Sequence, residues 1–150
     1  MANSVVNRIV KSAMESANAD ASLKSYRVAD IEKIFSQTIS RESSIRLLML
    51  STADGIAIAE RSHLDNDKRR IAAMANSFLT LGETVTRELG FNQSEYVAVN
   101  ASNGHIVLVR IYAKKPLTLT AVANVDLNIA TLLFHTKECA KRILEATDNQ

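Results

Sequence analysis

Apolar residues recur along the chain with two different periods, and the switches between them mark its elements. Val5, Val6, Ile9, Val10, Ala13, Met14 and Ala17 form one stripe of a helix, with Asn7, Arg8, Lys11 and Glu15 opposite. The pattern stops over Ala19–Ser25, which reads as a short linker. A second helix is expected from near Asp30, a candidate N-cap, with Ile31, Ile34, Phe35 and Ile39 on one side. The period then becomes two. Ile45 to Ser51, Ala53-Asp54-Gly55 and Ile56 to Arg61 read as a β-hairpin, since Asp-Gly supplies the positive φ of a tight turn. Leu47 to Leu50 is apolar on both faces and predicts a central strand; Ile56 to Arg61 ends charged and suits an edge.

A long helix is predicted over Asp67 to Leu89, with acidic Asp65 and Asp67 at its N-terminal end and Gly90 as its stop. Glu95–Asn100 and His105–Ala113 flank Ser102-Asn103-Gly104 as a second hairpin. Ile106 to Ile111 reads as apolar on both faces, hence central. Lys114-Lys115-Pro116 turns the chain into a fifth strand, Leu117 to Ala123. Asn124 or Asp126 is the expected cap of a last helix reaching about Ala146, with Ile129, Leu133, Ala140, Ile143 and Leu144 inward. Strands with two apolar faces need cover on both sides. The expected fold is therefore α+β, a five-stranded antiparallel sheet between helices with an extra N-terminal helix.

Composition narrows this picture only a little. The chain has 150 residues, 47% hydrophobic and 23% charged, which fits one ordinary folded domain. Aromatics are 5% and Trp is absent, so the core must be aliphatic. A single cysteine, Cys139, rules out an internal disulfide and suits a reducing compartment, so a cytoplasmic location is expected. The N-terminal residues do not read as a secretory signal, and the longest apolar runs are strand-sized, so no membrane insertion is expected. A net charge of +2 with both signs interspersed neither demands nor excludes an acidic partner.

Candidate chemistry is sparse. Gly55, Gly82, Gly90 and Gly104 are scattered and form no phosphate-binding loop. His63, His105 and His135 are far apart in sequence, so neither metal nor cofactor is expected. His135 and Cys139 are four apart on one helix, the spacing of a His-activated thiolate; a lone small thiol on an amphipathic helix is the packing alternative. Lys68-Arg69-Arg70 lacks the interleaved aromatics of a nucleic-acid site, so nucleic acid is not an expected partner. Arg69 or Arg70 could reach the phosphates of a GTPase; a solvated helix end is the alternative.

The long helix says more. Ile71, Phe78, Val85 and Leu89 define its apolar centre line, Met74 and Leu81 widen it on one side, and Ala72, Ala75, Leu79 and Gly82 on the other. The arc covers about half the circumference, more than the stripe of ~100° that one packed surface needs. Asn76, Thr80, Glu83 and Arg87 are expected to keep the far side wet. The surplus predicts a second contact surface, with either flank facing it. Tyr96, Val97, Ala98, Val99 and Asn100 alternate like an edge strand without Pro or internal charge, so this edge is open to pairing.

Taken together, residues Asp30 to Ala146 resemble the roadblock (dynein light-chain) domain family, including its bacterial MglB-like members. The segment IRLLMLSTADGIAIA at 45–59 is similar to the family's opening hairpin with its Ser-x-x-Asp-Gly turn. IAAMA at 71–75, the stop at Gly90, IVLV at 106–109 and LTLTAVA at 117–123 fit its second helix and last strands. The chain departs from the family in its N-terminal extension and in Leu132, Leu133, Phe134 and His135, where many members carry a Gly-containing helix start. The resemblance implies a domain at 25–150 behind an N-terminal helical extension and linker at 1–24. It implies a non-enzymatic homodimer or heterodimer, with long helices packed together and the middle strands paired. It further implies a regulator or scaffold whose partner is a Ras-like small GTPase, as with the polarity GTPases of MglB-like proteins, or an adaptor in a larger complex. A small-ligand sensory module and a thiol enzyme are the other classes left open.

Overall fold

The computed structural model describes residues 4–14 and 26–148. Its elements are α1 (residues 4–14), α2 (Val28–Arg41), β1 (Ile45–Thr52), β2 (Ala57–Ser62), α3 (Lys68–Glu88), β3 (Tyr96–Ala101), β4 (Gly104–Ile111), β5 (Leu117–Asn124) and α4 (Ile129–Asp148). The expected Ala17 end of the first stripe and the boundary between 24 and 25 lie outside the described residues.

The five strands form one antiparallel sheet in the order β2-β1-β5-β4-β3. β1, β5 and β4 are interior: β1 is apolar along both faces, while β4 and β5 carry buried Arg110, Thr118 and Thr120 among their apolar residues. Leu48 and Leu50 of β1, Val107 and Val109 of β4 and Leu117, Leu119 and Ala121 of β5 pack with Ile31, Phe35, Leu132 and Ile143 of α2 and α4. The alternate residues, Leu47 and Met49, meet Ala72 of α3 on the opposite face, and Leu108 meets Ala75 and Leu79. The result is three layers, with the larger core under α2 and α4.

Local chemistry sets the element ends. Gly55 takes φ +86° in the first hairpin, and its N–H donates to the Thr52 carbonyl at 3.0 Å. The second hairpin closes differently: Ala101 pairs with Gly104 across Ser102-Asn103, and no described residue other than glycine has positive φ. Asp67 caps α3 by accepting from Arg69 N–H at 3.0 Å. At its far end Phe91 N–H donates to Thr86 O and Gly90 N–H to Arg87 O, a Schellman stop with Gly90 at φ +70°.

Two expected caps are corrected. Helix α2 begins at Val28, so Asp30 lies in its first turn, where the carboxylate meets Arg27 at 2.7 Å. Helix α4 is capped by Asn128, whose Oδ1 accepts from Thr131 N–H at 2.8 Å. Asn124 instead closes a turn onto Asp126 N–H, and one more turn lets Leu127 drop into the core before the helix starts. In α4, Ala140 and Ile143 are inward as expected, joined by Leu132, Thr136 and Cys139; Ile129, Leu133 and Leu144 are partly buried.

The two edges of the sheet are unlike. β2 carries Glu60 and Arg61, and its register with β1 slips at Leu50/Ser51, leaving Ile58 as an extra residue. β3 pairs with β4 in unbroken register and carries no charge. Among the described residues no helix is long and apolar enough to cross a membrane.

Candidate partner-binding surface

The molecule's conspicuous surface lies on the α3 side of the sheet. Ala72, Ala75 and Leu79 are buried against the domain's own strands, so this flank of the apolar arc is used within the chain. The other flank is not covered. Met74 is 53% exposed, Phe78 50%, Leu81 63% and Val85 49%, a ridge one helix long. Gly82 sits where α3 passes closest to β3: a Cβ there would meet Val97 Cγ2 at 2.7 Å. Glycine at this point allows the helix to lie down on the edge strand despite its helical cost of about 1 kcal/mol.

Asn76, Thr80, Glu83 and Arg87 were expected to face water, and this is corrected for Asn76 and Glu83. Asn76 and Glu83 are half-buried and close on Arg110 of β4, a residue only 8% exposed, while Thr80, which also reaches Arg110, and Arg87 stay exposed as expected. Arg110 also breaks the expected apolar face of Ile106 to Ile111. Its guanidinium meets Glu83 Oε1 at 2.7 Å, donates to Asn76 Oδ1 at 3.0 Å and to Thr80 Oγ1 at 3.4 Å, and is also bound by Thr118 Oγ1. A buried guanidinium requires this degree of satisfaction.

Between the ridge and the sheet runs an apolar groove of about 300 Å³ lined by Ile71, Met74, Phe78, Val99, Ile106 and Val122. Thr120 lies at its base, and its Oγ1 has no hydrogen-bond partner among the described residues. β3 bounds the groove. Tyr96 and Ala98 are exposed, Val97 and Val99 half-buried toward α3. Because Ala101 and Gly104 close a two-residue turn, Ala101, Val99 and Val97 direct their backbone groups to β4. Tyr96, Ala98 and Asn100 therefore direct theirs outward. On the far face, Lys137 of α4 sits 5.4 Å above the Tyr96 ring and 3.3 Å from Glu95.

Arg69 and Arg70 are exposed on the first turn of α3, at the opposite end from Gly82. The pairing of His135 with Cys139 is not what the structure builds. Cys139 is buried beside Thr38 and Arg142, and its thiol is pushed up to about 11 by burial, which outweighs the hydrogen bond with Thr38 and the nearby Arg142 charge. His135 instead meets the Phe134 ring edge to face. The thiol is therefore protonated at neutral pH, and alkylation by iodoacetamide at pH 7 should run about 100-fold slower than for a free cysteine from protonation alone. A raised folded-state pKa also favours the fold below pH 9. That contribution fades between pH 9 and about 11, by about 2–3 kcal/mol. Denaturant titrations of the unmodified chain and Cys139→Ala should diverge in that window and run parallel below it. Rapid labelling of folded protein would contradict the burial.

The sequence and the architecture both have counterparts among known proteins. The family description "Roadblock/LC7 domain" matches residues 33–121. The gliding protein MglB from Thermus thermophilus superposes with a TM-score of 0.72 at 12% identity, over 82% of this chain and 92% of that one. Myxococcus xanthus MglB gives 0.72 at 9% identity, over 83% and 99%. A Roadblock/LC7 domain from Streptomyces avermitilis gives 0.64 at 19% identity, over 72% and 89%. A search of the curated proteins finds no match. With the matching profile spanning more than half of the sequence, and the sheet order and helix layers described above, the chain belongs to the Roadblock/LC7 domain family.

Proposed function

We propose that the chain is a dimeric regulator or scaffold, and that its dimer binds a Ras-like small GTPase. The observation that carries the reading is a bare edge strand, β3, lying beside an apolar ridge on α3, with an unfilled groove between them. Large exposed apolar surface rimmed by polar residues marks an interaction site, and an unguarded edge invites strand pairing. A second copy related by a two-fold axis supplies both complements at once: a β3 edge and an α3 ridge. A pairing that uses all three outward-facing residues has its axis at Ala98. Ala98 then faces Ala98 of the second copy, and Tyr96 faces Asn100 of the second copy. Membership in a family of regulatory and adaptor domains, together with the likeness to MglB, supports a protein partner over a small-molecule substrate.

The test has two arms. Hydrogen-bonded antiparallel neighbours stand about 5.5 Å apart between Cα atoms, inside the ~4.4–6.8 Å window of a disulfide. Ala98→Cys should therefore crosslink into a covalent dimer on mild oxidation, whereas the buried Cys139 does not. An uncrosslinked product at micromolar concentration would remove the two-fold β3 pairing. The second arm is calorimetry against small GTPases of the source organism, loaded with GDP or a non-hydrolysable GTP analogue. Only a difference between states can shift a switch, and about a tenfold preference is expected. Arg69→Ala and Arg70→Ala should reduce any stimulation of hydrolysis only in part. A fall of about 10³-fold would mark an arginine inserted at the phosphates. Equal affinity for the two nucleotide states, or no binding, would sink the GTPase reading.

A further inference from the structure

Helix α3 presents a contradiction. Phe78 and Met74 stand about half exposed, directly beside an apolar groove on their own domain that they only rim. A roll of α3 about its axis by roughly 50°, half the angle between successive residues, would carry both into the groove. The hydrophobic effect favours that movement. On the side of α3 facing the sheet, Ala72 and Ala75 are too small to resist rotation, and the large side chains there are the buried Leu79 and the half-buried Ile71.

The resistance comes from the opposite flank. Asn76, Thr80 and Glu83 lie at i, i+4 and i+7 and all hold the one guanidinium of Arg110. Arg110 is anchored from beneath by Thr118, whose hydroxyl also reaches Asn76 Oδ1 at 3.4 Å. The roll that buries Phe78 swings these three side chains out toward solvent. It leaves Arg110, whose side chain is 5% exposed, charged in the interior without its countercharge and with only the Thr118 hydroxyl among its present side-chain partners. A buried charge without partners is among the most unfavourable states a protein can reach. The guanidinium fork is also directional, fixing azimuth as well as contact.

We infer that Arg110 with Asn76, Thr80 and Glu83 is a positioning device: it holds α3 against self-burial, keeps the ridge outward and leaves the groove open for a second copy of the chain. The inference rests on the dimer reading for the groove's occupant, while the setting of α3 is a property of the single chain. Arg110 acts through α3 and touches no partner itself.

The test exploits the absence of tryptophan from the sequence. In a Phe78→Trp background, at dilutions where light scattering shows a monomer, the indole should emit like an exposed tryptophan and be quenched freely by iodide. Adding Arg110→Met with Glu83→Gln removes both charges together, so neither is orphaned. Emission should then shift to the blue, iodide quenching should fall at least threefold, and dimer dissociation should rise at least tenfold while unfolding stays cooperative. Glu83→Gln alone should move all three readouts the same way by less, and it decides the matter if the double substitution does not fold. A purely structural role would lower the melting temperature and leave indole exposure unchanged, and that result overturns the inference. So does an indole already shielded in the Phe78→Trp monomer. A parent chain that stays monomeric at every concentration refutes the dimer reading instead, and the indole readout still judges the clamp.

Discussion

A chain carrying Phe78→Glu and Leu81→Glu should run as a monomer in light scattering at concentrations where the unmodified chain is a dimer. The two residues are neighbours on the ridge of α3, at least half exposed in the single chain. They take no part in the cores beneath α3, so the domain should fold normally. In a two-fold pairing through β3 the ridges of both copies meet, and each substitution is made twice. A carboxylate placed in an apolar contact loses hydration without gaining a partner. The dissociation constant should rise at least about 100-fold, roughly 3 kcal/mol. The effect should weaken in acid, where the new carboxylates are neutral. An unchanged dimer would show that the ridge lies outside the interface, and would leave β3 to carry pairing alone.

Removing the Phe35 ring should have the largest effect on stability. Phe35 is fully buried where α2 packs on the sheet and α4, and Phe35→Ala leaves a cavity in the larger core. The expected loss is about 3–5 kcal/mol. For a chain of this length that is a melting temperature lower by roughly 10 °C. The same deletion at Phe78, measured at monomeric dilution, should change stability by no more than about 0.5 kcal/mol. Identical chemistry thus separates fold from interface. A large loss at Phe78 in the monomer would mean that its ring already packs within the domain.

The strands, their hairpins and the central position of β1 and β4 were legible because period two and period 3.6 alternate cleanly. Asp67 and Gly90 marked the ends of α3 for the same local reasons that operate in the structure. The azimuth of α3 was not legible. An apolar arc of half a circumference has no single inward direction, and on the centre line Ile71 packs in part while Phe78 and Val85 stay exposed. Ala72, Ala75 and Leu79 face the sheet, while Met74, Phe78, Leu81 and Val85 face out, so residue size does not pick the inward line. The deciding contact joins Arg110 to residues 27 and 34 positions earlier, beyond any local pattern. Its trace in the sequence is a lone arginine inside an apolar strand and three polar residues at helical spacing. At α4, Asn124, Asp126 and Asn128 are all capping types, and only the burial of Leu127 selects among them.

The unequal edges of the sheet bear on how far assembly can proceed. A subunit with two open edges adds neighbours on both sides and grows into a filament. Here one edge is bare, and the other carries a slipped register with Glu60 and Arg61. Once two bare edges meet across a two-fold axis, both outer margins of the resulting ten-stranded sheet are blunted strands. In such a dimer, growth by strand addition would end at the second subunit, and a surface that could otherwise nucleate fibres would be self-limiting.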